Sequence, residues 1–193
     1  MTLTAMLVAA MVLIGGATRL SESGLSIVHW KLVSGILPPL SDDAWQQEFD
    51  AYKATPQFRY VNPRFTLGDF RHIFWLEYLH RLVGRIVALV IWLPTLFLIG
   101  RRYFRRTSPE GEKPFIRRML LASVLVALQG AVGWIMVASG LASEPRVDPA
   151  KLALHLSLAF APVRPAAVDA LGHGHVGQAP DRACAVSPSG CGC

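Results

Sequence analysis

Between Arg85 and Arg101 the chain carries no charged side chain, and fourteen of these fifteen positions are apolar or small, with Thr95 the exception. Such a run is long enough, as a helix rising about 1.5 Å per residue, to make up most of a membrane crossing. Just before it stands Phe74-Trp-Leu-Glu-Tyr-Leu-His-Arg-Leu-Val-Gly-Arg85. At about 3.6 residues per turn, Glu77, His80, Arg81 and Gly84 share one face of that helix. Ionisable groups in such a place are costly and mark a site by default. Two readings of the face compete. In one, Glu77 pairs with Arg81 near the membrane surface, as a partly exposed pair, and His80 only packs on a neighbouring helix. In the other, His80 is a metal or haem ligand and Glu77 an acid-base group.

The wider composition agrees with a membrane class. The chain has 193 residues, 52% hydrophobic and 17% charged, with a net charge of +6. The excess charge is not a nucleic-acid signal. Arg101, Arg102, Arg105, Arg106, Lys113, Arg117 and Arg118 fall in one connection between two apolar runs, where cytoplasmic loops gather their basic residues. Cys184, Cys191 and Cys193 all lie at the C-terminal end, so no disulfide framework serves the main body.

Four apolar helices are expected. The first covers about 2–18; a signal peptide is the rival reading, and the missing basic n-region speaks against it. The second covers 67–100, opened by a capping box at Thr66 and Asp69, with Pro94 as a candidate kink. The third covers about 115–141. There Ser123, Ala127, Gly130 and Gly133 form a small-residue face, suited to plain helix packing or to a flat ligand. Gln129 is the polar side chain deep in that span. The fourth covers about 150–161, stops at Ala161-Pro162 and is incomplete as a span.

The connection 20–66 is rich in aromatics, which argues against a disordered linker. Ser41 caps an expected helix over 42–53 that presents Trp45, Phe49 and Tyr52 on one side, and Thr55-Pro56 stops it. Acids and bases balance here, so the connection belongs outside the cytoplasm, packed over the membrane part as a lid. After Phe160 the composition turns to Ala, Pro, Gly and Val. Residues 161–193 read as a disordered or out-of-frame tail; a metal tract at His173, His175 and the cysteines is the lesser reading.

With the basic connection inside, the second and fourth helices both enter the membrane from outside. His80 and His155 then lie at matched depth on helices running the same way. That is the arrangement two axial imidazoles on one haem iron require.

Five segments stand in a family order: Gly15-Gly-Ala-Thr-Arg-Leu-Ser-Glu-Ser-Gly-Leu-Ser26, Trp30-Lys-Leu-Val-Ser-Gly-Ile-Leu-Pro-Pro39, Phe74-Trp-Leu-Glu-Tyr-Leu-His-Arg81, Gln129-Gly-Ala-Val-Gly-Trp-Ile-Met-Val-Ala-Ser-Gly-Leu141 and Leu154-His-Leu-Ser157. Together they resemble haem A synthase, of the branch shared by proteobacteria and mitochondria. The resemblance covers residues 5–160. It implies an all-α membrane protein whose full fold has eight transmembrane helices in two four-helix halves, this chain carrying the N-terminal bundle.

The resemblance also implies chemistry. The C8 methyl of haem O is oxidised to a formyl group through successive hydroxylations, with water as the oxygen source. His80 and His155 would be the axial ligands of the substrate haem iron and Glu77 the catalytic acid, while a haem b cofactor belongs to the other half. Implied partners are the lipid bilayer, haem O, haem O synthase and terminal-oxidase assembly factors. The implied location is the bacterial inner membrane, with the long first loop periplasmic. A chain with only the first half is expected to be a truncated copy that does not turn over alone. The alternatives are a haem-binding or electron-transfer membrane module, and a nonfunctional membrane fragment.

Overall fold

The computed structural model describes residues 2–31, 34–100, 113–142 and 145–160. Every regular element among them is helical: α1 (Thr2–Leu20), α2 (Asp42–Lys53), α3 (Pro56–Tyr60), α4 (Leu67–Gly100), α5 (Lys113–Ala142) and α6 (Pro149–Phe160), with one 3₁₀ turn at Ser34–Ile36. The expected tail after Phe160 and most of the basic connection lie outside the described residues. Helices α4 and α5 are each long and apolar enough to cross a membrane. At 34 residues, α4 measures about 50 Å, against a hydrocarbon core of about 30 Å. Its N-terminal turns therefore project beyond the bilayer.

Helix ends follow local chemistry. At the start of α4, Asp69 Oδ2 accepts from Thr66 N at 2.9 Å, while Thr66 Oγ1 accepts from Asp69 N at 3.3 Å, the reciprocal capping box. At the end of α1, Glu22 takes φ 52°. Ser23 N donates to Thr18 O at 3.0 Å and Glu22 N to Arg19 O at 3.2 Å. This is a Schellman closure with Glu where Gly is usual. The strained residue is tied on both sides: its carbonyl accepts from Gln57 Nε2, and its carboxylate pairs with Arg146 at 3.1 Å.

One expectation about the loop holds and gains a second part. Thr55-Pro56 ends α2 but also starts α3, because Pro56 sits in the first turn, where no N–H bond is lost, and Thr55 caps it. At Pro94 the helix runs on. Thr95 Oγ1 donates to Ile91 O at 2.8 Å, and Ser123 Oγ of α5 donates to Thr95 Oγ1 at 3.2 Å.

The aromatic face of α2 closes on the projecting turns of α4. Trp45, Phe49 and Tyr52 pack with Phe70, Ile73 and Phe74 as one buried cluster. Trp45 meets Phe74 edge-on at 4.9 Å, and Phe70 lies 5.2 Å from both Phe49 and Tyr52. Burial pushes the Tyr52 phenol above its ordinary range, and Asn62 donates to it at 2.9 Å. The loop is thus a folded cap with its own core. Phe70 is fully buried, so Phe70→Ala should cost about 3–5 kcal/mol. Limited proteolysis within residues 42–60 should read this as faster cleavage; an unchanged rate would mean that the cap is held from elsewhere.

The long helices behave oppositely. Leu93, Leu96, Phe97, Leu121 and Val124 stand exposed. In a chain whose apolar helices reach membrane length, such surfaces face lipid, where exposure of leucine costs nothing. Helix α1 packs on α4, α4 on α5, and α5 on α6.

Candidate functional site

The polar face of α4 divides into two parts. Glu77 and Arg81, one turn apart, point to the segment that follows α1. Glu77 Oε1 accepts two bonds from Arg81, from Nε at 3.0 Å and from an Nη. Glu77 Oε2 accepts from Ser26 Oγ at 2.7 Å and from Ile27 N at 2.9 Å. Arg81 also donates to Ile27 O at 3.0 Å and lies over the Trp30 ring at 5.1 Å. The pair is not partly exposed: the side chains are 3% and 12% accessible. It forms because i and i+4 lie side by side on a helix, and it is buried because the chain after α1 folds back across it.

Two neighbours extend this clasp. Tyr78 Oη donates to Ile36 O at 2.6 Å, and Arg85 to Lys31 O at 3.1 Å. A cleft of about 230 Å³ lies beside it, lined in part by Lys31, Glu48, Tyr78, Arg81 and Arg85. His29 borders this cleft, but His80 and His155 do not.

His80 turns to the other side, onto α1. A Cβ built on Gly15 would stand 3.1 Å from His80 Cε1. His155 of α6 rests likewise on Gly133 of α5, at 3.1 Å from its Cε1. Gln129 Nε2 donates to His155 O at 3.0 Å and so anchors α6 to α5. Buried and without a hydrogen-bond partner are His80 Nδ1, His155 Nδ1 and Gln129 Oε1. Unsatisfied buried polar atoms are rare and call for a cause.

His80 and His155 stand on separate helices, α4 and α6, and each packs on a glycine of a neighbouring helix. Glu77 is near in sequence, but none of its four hydrogen bonds goes to a histidine. Among the described residues no cluster of three or more His, Cys, Asp or Glu could hold a bare metal ion. An iron porphyrin makes a smaller demand, since the ring supplies four nitrogens and the protein only two axial donors. Two unpartnered imidazoles against glycine-thinned helices fit that demand. Sequence reasoning missed Ser26, Ile27 and Gly15 as partners; the only signal was a Gly pair inside an apolar helix.

The chain matches the family described as cytochrome oxidase assembly protein over residues 1–183. It is 52% identical over 160 residues to a heme A synthase of Bradyrhizobium sp. (strain ORS 278), covering 83% of this chain and 42% of that protein. Against the heme A synthase of Bradyrhizobium sp. (strain BTAi1) the identity is 53%, and against that of Rhodopseudomonas palustris (strain BisB5) 51%, with the same coverage. The chain therefore spans about two fifths of the length of the curated relatives it matches, in their N-terminal part. No solved structure matches it. With a family match over nearly its whole length, and about half of the aligned residues shared with those relatives, the chain belongs to the cytochrome oxidase assembly protein family.

Proposed function

We propose that this chain forms the substrate-holding half of a haem A synthase, which oxidises the C8 methyl of haem O to a formyl group. The observation that carries the reading is the pair of histidines, His80 and His155, brought from separate helices with both Nδ1 atoms buried and unpartnered. These residues would hold the iron. Helices α1, α4, α5 and α6 would make a four-helix transmembrane bundle around the ring, with the folded cap above excluding water. The porphyrin iron supplies the redox chemistry when bound. Glu77 would take up and release protons as the methyl carbon is oxidised. To do so it must let go of at least one of its present four hydrogen bonds. A haem b cofactor would belong to the part of the relatives that this chain does not span. Haem O synthase would supply the substrate, and terminal-oxidase assembly factors would take the product.

The saturation of Glu77 favours a second reading, a haem-binding or electron-transfer module in which Glu77 is structural. Extraction and reverse-phase separation of the haems decide between them. In a protein of the relatives' length that contains this segment, the first reading expects haem A. Bound haem with no formyl or hydroxylated product would favour the second.

The same proposal sets the topology: the bacterial inner membrane, with residues 20–66 periplasmic and 101–118 cytoplasmic. Its motive is the basic cluster between α4 and α5. Gln57 is buried at 3% and unsuited to labelling, whereas Tyr60 is 77% exposed. A cysteine at Tyr60 should react with an impermeant maleimide from the outer side, and one at Ser108 only after permeabilisation. The opposite pattern would invert the topology.

A further inference from the structure

The two histidines are seated by one device used twice. A Cβ on Gly15 would meet His80 Cε1 at 3.1 Å and Nδ1 at 3.5 Å, and no other atom of the described residues beyond its own helix within 4 Å. A Cβ on Gly133 would meet His155 Cε1 at 3.1 Å, Nδ1 at 3.6 Å and Nε2 at 4.0 Å. In both places the Cε1–Nδ1 edge of the ring lies on bare backbone, and Nε2 is the nitrogen farther from it. The glycines belong to α1 and α5, the rings to α4 and α6. These contacts are not the usual reason for a glycine inside a membrane helix, which is close approach of two backbones. The nearest atoms at both positions are those of an imidazole.

A ligating histidine is normally oriented by a hydrogen bond from its second ring nitrogen. Here both Nδ1 atoms are buried without one. Something else must set the rotation of each ring, and the glycine backbone is what each ring edge touches. We propose that Gly15 and Gly133 are positioning residues, which aim Nε2 of His80 and of His155 at a common iron porphyrin by leaving room for each ring edge. This rests on the haem reading given above. An added methyl would force each ring to give by a few tenths of an ångström. If both rings hold the iron, a shift of either one would weaken its hold.

The test has controls built into the same helices. Gly16 and Gly130 have nothing within 4 Å of an added Cβ. Alanine also suits a helix better than glycine does, so none of the four substitutions should weaken its helix. The purified full chain in detergent is titrated with haemin and followed by absorption and by electron paramagnetic resonance, alongside His80→Ala and His155→Ala. Gly15→Ala and Gly133→Ala should each lower haemin affinity by about 10-fold or more, the effect of losing an outer-shell partner, and should shift the low-spin iron signal. Gly16→Ala and Gly130→Ala should keep both affinity and signal. Gly133→Ala repeats the test on a separate helix pair should Gly15→Ala not fold. If the histidine variants lose the low-spin signal while Gly15→Ala and Gly133→Ala retain it, the positioning role alone is wrong. Equal effects from all four glycines would also overturn it. If the histidine variants leave the signal untouched, the haem reading fails, and this inference with it.

Discussion

Glu77→Gln should lower haem A formation by roughly 10²–10⁴-fold, the share a general acid-base group supplies, while haem O stays bound. The measurement is product per bound haem, in a protein of the relatives' length carrying this segment. Gln keeps the size of the side chain but cannot exchange the proton. The structure adds a complication, because the Glu77–Arg81 pair is buried rather than partly exposed. Removing one partner of a buried pair costs about 3–5 kcal/mol, well above the about 1 kcal/mol or less of a partly exposed pair. Glu77→Gln should therefore also lower the amount of folded protein. A second variant separates the effects. Glu77→Gln with Arg81→Met removes the stranded cation, and replacing both members of a buried pair is often near neutral for stability. If Glu77 acts in the oxidation, the double variant should fold and still make little product. Recovery of haem A in the double variant would assign Glu77 to structure alone.

Loss of either histidine should cost haem retention. His80→Ala and His155→Ala each remove one of the two proposed iron ligands. Each should weaken haem binding by more than the roughly 10–100-fold lost with an outer-shell partner, since each removes the ligand itself. The low-spin signal of two nitrogen ligands should vanish in both. The two changes should not add: once one axial ligand is gone, the site is already broken. Gln129 sharpens the comparison. It holds the His155 carbonyl at 3.0 Å, so Gln129→Leu should disturb the His155 side without touching His80. If His155→Ala kept a full haem complement with an unchanged signal, α6 would carry no ligand, and His80 would need another partner.

Much of this molecule is legible in its sequence, for a physical reason. Periodicity and end signals act over a few residues, and the chain writes them out directly. The apolar run from Ile86 to Gly100 becomes α4, the Thr66–Asp69 box opens it, and the spacing of Trp45, Phe49 and Tyr52 puts them on one buried face. The i, i+4 relation of Glu77 and Arg81 likewise needs only the helix repeat. Pro56 was legible as a break but not as a start, because the same residue serves both ends of a helix. What the sequence could not state is which side chains meet across elements. Ser26 and Ile27 reach Glu77 over 51 and 50 residues, and Gly15 receives His80 from a different helix. These contacts depend on the rotation and register of one helix against another, which packing of whole faces decides and no local pattern encodes. So the sequence by itself determined which residues carry the charge and the imidazoles. Only the tertiary structure decided that the carboxylate is buried in a clasp of four hydrogen bonds, and that each imidazole lies on a glycine.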